Sequence, residues 1–187
     1  MKCFLAAVFM TLYAATANAA LITYDVDRTI GDGTVEGTIT TDGTLGDGLS
    51  VDIMKDWSLT LTVPDLADPN VIFTATIDPG NSNLIFGSSV INATETELSF
   101  DFDLAGNDYM LFSGGTTELF WCMETAAGGC NGPDSSEHIG VNGVAFYSVP
   151  HTGEIVFASA TVVPVPAAVW LFGSGLIGLV GFARRKR

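Results

Sequence analysis

Positive charge is almost missing from the interior of this chain. Of its seven lysines and arginines, one sits at position 2 and four close the sequence, so only Arg28 and Lys55 stand between. All 21 acidic residues lie in that same middle stretch, which carries a formal charge of −19. A surface of that sign repels phosphate backbones, so nucleic acid is excluded as a partner. It favours solubility outside the cell and attracts divalent cations. Histidine is nearly as scarce: there are two, His138 and His151, both among turn formers. A nucleophile–base relay is assembled from distant segments. Here Ser135-Ser136-Glu137-His138 sets the right residue types side by side, and no Gly-x-Ser-x-Gly elbow exists. Helical periodicity is missing too, apart from a turn expected around Asp52–Lys55.

What is present is clearest at the two ends. Lys2 precedes an apolar stretch from Phe4 to Ala15, and Ala17-Asn18-Ala19 is a small-x-small cleavage site. The pattern predicts a signal peptide over 1–19, cut between Ala19 and Ala20. Cys3 leaves with it. At the other end Ala167–Ala183 contains no ionisable residue. As a helix, the stretch from Pro164 onward spans about 30 Å, roughly one bilayer core. Trp170 suits one interface, and Arg184, Arg185, Lys186 and Arg187 form a basic stop that stays cytoplasmic. Pro164 and Pro166 fit the helix boundary. Ser174, Gly175, Gly178 and Gly181 share one side, where another helix can approach closely. The chain therefore divides into a signal peptide, an exported domain over 20–163, and a tail over 164–187 with a transmembrane helix at about 167–183.

The stretch Val163-Pro164-Val165-Pro166-Ala167-Ala168-Val169-Trp170-Leu171-Phe172-Gly173-Ser174-Gly175-Leu176, closed by Gly181-Phe182-Ala183-Arg184-Arg185-Lys186-Arg187, resembles the PEP-CTERM sorting tail, in its Val-Pro-x-Pro-Ala variant. The family's namesake glutamate is Val165 here. The resemblance implies a sorting motif at Pro164, Val165, Pro166 and Ala167. It implies an exosortase-like membrane enzyme as partner, with cleavage near the proline pair. It also implies anchoring in the inner membrane during sorting, then the envelope, outer surface or matrix of a Gram-negative bacterium that makes exopolysaccharide or biofilm. Gly37–Gly46 and Asp56–Thr62 resemble an ectodomain type found on such tails, one without an assigned activity.

The middle stretch reads as strands. Trp57, Leu59, Leu61 and Val63 alternate with Ser58, Thr60 and Thr62; Val71–Ile77 and Leu98–Leu104 alternate likewise. Ile22–Asp27, Thr34–Thr41, Tyr109–Ser113, Glu118–Met123, Val144–Val149 and Ile155–Val163 are further candidates. Turn formers stand between, among them Gly31-Asp32-Gly33, Asp42-Gly43, Asp47-Gly48, Asp78-Pro79-Gly80-Asn81 and Gly114-Gly115. About ten short strands with one apolar face each predict an all-β domain, a two-sheet β-sandwich of jelly-roll type, with a closed barrel as the alternative.

Candidate sites are few. Cys122 and Cys130, in an oxidising compartment, predict a disulfide closing a hairpin loop; the rival is a metal site completed by His138. Glu97, Asp101 and Asp103 share one strand face at a spacing that glycoside hydrolysis can use, opposite a Leu/Phe face. Calcium is the ion that the loop carboxylates would take, with three candidate clusters: Asp25/Asp27/Asp32, Asp42/Asp47, and the group of Asp103, Asn107 and Asp108. Asp101 to Gly106 starts like an EF-hand loop, but Ala105 stands at its fifth position and no glutamate at its twelfth. Among the aromatics, Trp57 is expected to be buried, and Phe120, Trp121, Phe146 and Tyr147 to form an exposed platform for sugars. No catalytic set emerges, and no cofactor apart from calcium is indicated. Three readings stay open: a non-enzymatic surface protein contacting exopolysaccharide, a calcium-dependent lectin-like module, and a polysaccharide hydrolase.

Overall fold

The computed structural model describes residues 20–87, 91–114, 118–125, 129–130, 135–141 and 145–160. The expected signal peptide, sorting motif, transmembrane helix and basic stop lie outside the described residues. Among the described residues no helix is long and apolar enough to cross a membrane.

Among the described residues thirteen strands follow one another: β1 (Ile22–Ile30), β2 (Gly33–Thr41), β3 (Gly46–Leu49), β4 (Met54–Pro64), β5 (Ile72–Ile77), β6 (Ser82–Phe86), β7 (Ile91–Ala93), β8 (Glu97–Asp101), β9 (Tyr109–Gly114), β10 (Leu119–Glu124), β11 (Ser136–Val141), β12 (Ala145–Pro150) and β13 (Glu154–Ser159). They form two antiparallel sheets, ordered β3-β7-β8-β13-β1-β2-β4-β5 and β12-β11-β10-β9-β6. The all-β expectation is met, and the two sheets face each other across a shared apolar core. The expected turn at Asp52–Lys55 is a 3₁₀ turn at Val51–Ile53, where the Ser50 side chain accepts from the Asp52 amide.

Alternation decides which face is buried. Along β4, Leu59, Leu61 and Val63 point into the core, while along β1 Tyr24, Val26 and Ile30 do the same. The opposite face of β1, β2, β4 and β5 is wet and rich in threonine. Hydroxyls meet across neighbouring strands, Thr23 to Thr40 at 2.9 Å and Thr60 to Thr76 at 3.0 Å. Such cross-strand pairs each contribute a few tenths of a kcal/mol, up to about 1. Between the sheets runs a column of rings. Trp57 meets Phe112 edge-on at 5.6 Å, Phe112 stacks on Trp121 at 5.4 Å, and Trp121 meets Phe157 edge-on at 6.0 Å.

Two glycines are required by geometry. Gly31 takes φ 60° in the β1–β2 turn, and a Cβ there would come within 2.6 Å of the Tyr147 ring. Gly37 takes φ 145° inside β2, where a side chain would overlap the carbonyl oxygen of Ser58.

The eight-stranded sheet is nearly divided. β1 and β2 pair over nine positions, but β1 and β13 meet only at Asp25 and Ser159. β13 itself bulges between Val156 and Ala158 against β8. Beyond that single bridge the strands separate, and the Arg28 side chain crosses the gap to donate to the Val156 carbonyl at 3.3 Å.

Several expectations change at this level. The strand expected over Leu98–Leu104 ends at Asp101, and Phe102-Asp103 turns. The apolar alternation continues past the strand because Phe102 is still buried, donating its amide to the Gly153 carbonyl. Asp47-Gly48, expected as a turn, lies within β3. β3, β6, β7 and β11 have no counterpart among the expected strands.

Candidate functional site

β11 is the second strand of the five-stranded sheet, paired with β10 on one side and β12 on the other, and all six of its residues are buried. Strands covered on both faces lose the polar alternation that marks a half-exposed one. β11 therefore carries ionisable groups into the interior on both sides. Glu137 is 1 % exposed and points toward the other sheet; Ser136 at 0 % and His138 at 1 % point the opposite way, beside Glu124 at 0 % on β10. The expected loop histidine at 138 is thus a buried strand residue. His151 follows β12 and packs its ring on Phe102 at 4.8 Å.

The inward site is a carboxylate held by four donors. Glu137 receives Arg28 through Nε at 3.1 Å and Nη2 at 2.5 Å. It also receives Trp121 through Nε1 at 2.9 Å and lies 3.2 Å from His151 Nε2. Burying a carboxylate is costly unless it is paired and hydrogen-bonded. Here both oxygens are engaged, and the fork of Arg28 matches them in the bidentate manner that lysine cannot reproduce. Arg28 belongs to the other sheet, so this ion pair ties the two layers together.

The outward site joins Glu124, Ser136 and His138. His138 Nε2 lies 2.7 Å from Glu124 Oε1 and 3.0 Å from Ser136 Oγ, while Glu124 Oε2 accepts the Cys130 amide at 2.9 Å. A carboxylate only accepts, so Nε2 carries the proton, and Ser136 Oγ can only share it as a second acceptor. His138 Nδ1 is buried and has no partner among the described residues. A charged imidazolium would place an unsatisfied N–H at that point, among apolar neighbours that include Phe146, edge-on at 5.9 Å. Burial accordingly pulls the His138 pKa below its usual value, against the charge and hydrogen bond of Glu124 and the charge of Glu137. The residue is a neutral donor. A serine nucleophile needs the unprotonated ring nitrogen facing its hydroxyl. Here that nitrogen is Nδ1, on the far side of the ring, so these three residues are not a relay despite their composition.

Cys122 is opposite His138 in the β10–β11 register and is joined to Cys130 by a disulfide, with Cα atoms 6.2 Å apart. The bridge and the Glu124–Cys130 hydrogen bond fasten the β10–β11 connection over the outer face of the sheet. With both sulfurs in the bridge they are not thiolate ligands, so the rival reading of a Cys122/Cys130/His138 metal site does not describe this state. Replacing Cys130 with serine is expected to lower unfolding free energy by about 2.5 kcal/mol, the chain-entropy value for so short a loop. Urea denaturation with and without reductant checks this: reductant should shift the wild-type midpoint and leave the variant where it is.

The remaining expected sites disperse. Among the described residues no group of three or more His, Cys, Asp or Glu side chains is placed to hold a metal. The loop carboxylates cap their own turns instead. Asp42 Oδ1 accepts from Thr44 N at 3.0 Å, Asp78 Oδ1 from Gly80 N at 2.7 Å, and Asp101 Oδ1 from Asp103 N at 3.0 Å. The Thr44 hydrogen bonds, with Lys55 nearby, hold Asp42 below the usual carboxylate range. Asp47 is exposed on β3; Asp25 and Asp27 are exposed on the wet face of β1, with Asp32 exposed in the turn after it.

The calcium candidates Asp103, Asn107 and Asp108 lie between the end of β8 and the start of β9. Asn107 is exposed in the loop that leads into β9, and Asp103 is exposed in the turn that follows β8. Only Asp108 is half-buried. The loop is shaped by its main chain: Asp108 donates its amide to Thr125 Oγ1, which in turn donates to the Gly106 carbonyl. The Asn107 carbonyl oxygen packs close over Gly87, where an added Cβ would come within 2.6 Å of it. Asp101 and Asp103 do not share a strand face, because Asp103 stands in the turn.

The expected aromatic platform also comes apart: Trp121 is wholly buried and Tyr147 is half-buried beneath Gly31, both on the inner face. Phe120 and Phe146 remain on the outer face, flanking Gly140. Trp57 is half-buried and donates Nε1 to Ser82 Oγ at 3.0 Å.

Comparison with known proteins places one segment. Residues 162–187 match the family model of the PEP-CTERM protein-sorting motif. The motif implies an exported protein that passes through the membrane for sorting by an exosortase. No curated protein matches the chain, and no solved structure does.

Proposed function

We propose that this chain is a surface protein of a Gram-negative cell envelope, delivered by its C-terminal tail, whose β domain serves a non-enzymatic role in contact with exopolysaccharide. The observation that carries this reading is the sorting motif at 162–187. Three features support it. The acidic residues crowd into the segment that would stand outside the membrane. The domain is stapled by a disulfide, as suits an oxidising compartment. Its buried ionisable groups hold strands and a loop in place, with no solvent access for a substrate.

In this reading the proline pair at Pro164 and Pro166 leaves extended backbone where a membrane-bound enzyme can take it, since the residue before proline is held out of the helical region. The apolar run then holds the chain until cleavage. Changing Pro166 to leucine in the native host is expected to trap an uncut, membrane-bound form running from Ala20 to Arg187. Wild-type protein should be released from that fraction with a shorter mass. Intact mass after membrane fractionation decides: wild type remaining full length would leave a plain anchor and end the sorting reading.

A further inference from the structure

The near-division of the eight-stranded sheet opens a groove between β1 and β13. It has a volume of about 290 Å³ and is lined by Asp25, Asp27, Arg28 and residues 156–160. We infer that this groove is a binding site for a cationic, polyhydroxylated unit, an amino sugar within a polysaccharide.

The backbone supplies the first part of the argument. β1 and β2 are joined by the two-residue turn Gly31-Asp32, with Ile30 opposite Gly33. In such a hairpin the flanking pair exchanges both hydrogen bonds, and the pattern alternates from there. Ile30 and Arg28 therefore bond to β2, while Asp27 and Thr29 direct their N–H and C=O toward β13. The ladder to β13 includes only Asp25 and Ser159, so these groups have no strand partner among the described residues. Main-chain donors and acceptors outside a ladder, at the wall of a groove, are a ready set of contacts for ring hydroxyls.

Charge supplies the second part. Asp25 and Asp27 stand exposed at the groove, in a domain with 21 acids and two cations. Arg28 forms the floor, but its charge is matched by Glu137 and its Nη1 is taken by Val156 O. The exposed Asp27 carboxylate at the mouth, within so acidic a domain, favours an ammonium. Size supplies the third. A bare calcium ion wants six to eight oxygens around a small sphere, whereas this groove is far larger. An inserted peptide strand would need room for two ladders, about 4.8 Å on each side, and the Arg28 bridge from β1 to Val156 closes that space. A single sugar ring is the occupant that fits. Thr29 and Thr34, opposite each other on the same wet face, extend the hydroxyl surface beside it.

This inference rests on the exopolysaccharide reading and names the chemistry of its contact. The test uses the exported full chain in detergent, titrated by calorimetry with a glucosamine hexamer, its fully N-acetylated counterpart, and tetralysine. The free-amine sugar should bind at least ~10-fold more tightly than the acetylated one, a gap of about 1.4 kcal/mol. Asp27→Asn, and separately Val156→Lys at the exposed rim, should each weaken it by a similar factor. Asp56→Asn, remote on the same sheet, should not. Equal binding of tetralysine, or equal loss with Asp56→Asn, would reduce the effect to general charge attraction and overturn the site. Retention of the host's own exopolysaccharide, measured alongside, separates the two levels. Retention that persists in Asp27→Asn removes the groove and leaves the proposed function; no retention by wild type removes the proposed function itself.

Discussion

Replacing Arg28 with alanine is expected to destabilise the domain by about 3–5 kcal/mol, the cost of stripping one partner from a buried ion pair. Glu137 is 1 % exposed, and the guanidinium supplies two of its four donors. Without Arg28, the carboxylate keeps Trp121 and His151 but faces the other sheet uncompensated. The β1 edge also loses its contact with the Val156 carbonyl. A lysine at 28 should recover part of the loss, because it restores charge without the fork. The informative comparison is Arg28→Met combined with Glu137→Gln. The amide oxygen of glutamine still accepts from Trp121 Nε1, and the buried charge is gone from both sides, so most of the stability should return. Urea unfolding midpoints at constant slope measure all three. A loss below about 1 kcal/mol for Arg28→Ala would place this pair with ordinary surface salt bridges and remove its role as the tie between sheets.

The same residues show how far the fold could be read in advance. β1, β2, β4, β5, β8, β9, β10, β12 and β13 overlap the expected strands, and β1, β2, β4 and β5 are the clearest because one face meets water and the other the core. β11 escapes that logic. Ser136-Glu137-His138 looks like solvent-exposed loop, and its two following apolar residues, Ile139 and Val141, are too few to show a period. Its polar side chains are buried because their partners arrive from elsewhere: Arg28 lies 109 positions away from Glu137, and Glu124 lies 14 from His138. No local pattern encodes such a pairing. β3, at Gly46–Leu49, is hidden for a different reason, since Asp47-Gly48 carries turn chemistry and yet pairs with β7 at the sheet's edge.

The candidate site divides along the same line. The cysteine pair was legible because number, compartment and spacing suffice to propose it. Its neighbours Glu124 and Ser136 were not, since neither stands in a motif and both owe their role to register: Glu124 is opposite Ser136, and Cys122 opposite His138. The loop carboxylates show a different limit. Asp103, Asn107 and Asp108 have the residue types of a cation loop, but the same types also cap turns, and composition alone does not separate the two uses. Trp121 was misplaced on the outside because in Phe120-Trp121-Cys122-Met123 both faces of β10 carry apolar residues, so alternation cannot say which ring turns inward. The sheet settles it by stacking Trp121 on Phe112 and setting its Nε1 on Glu137.

Acid should loosen this domain through His138 first. The free imidazole titrates at about 6.5, and burial lowers the folded value. Below 6.5 the unfolded chain takes up a proton that the folded chain refuses, so stability falls as pH falls. The slope approaches about 1.4 kcal/mol per pH unit for one proton and flattens once the pH reaches the lowered folded value. Above 6.5 this contribution is fully present and does not change. Glu154 adds a separate loss in a more acidic window. Hydrogen bonds from Ser99 and Asn92 hold its carboxyl below its usual 4.5, so its contribution is present above 4.5 and disappears as pH falls through the lowered value. The two windows can be told apart by substitution. His138→Gln keeps an N–H donor for Glu124 and removes this titration, so its unfolding free energy should decline less than that of wild type from pH 7 down to about 5. Whatever the swap costs in packing is the same at every pH and does not alter the slope. Thermal or urea unfolding at half-unit pH steps would show it. A wild-type curve that is flat or rising toward pH 5 would mean that His138 is charged in the folded state, paired with Glu124 as an ion pair, and that the unpartnered Nδ1 carries a proton after all.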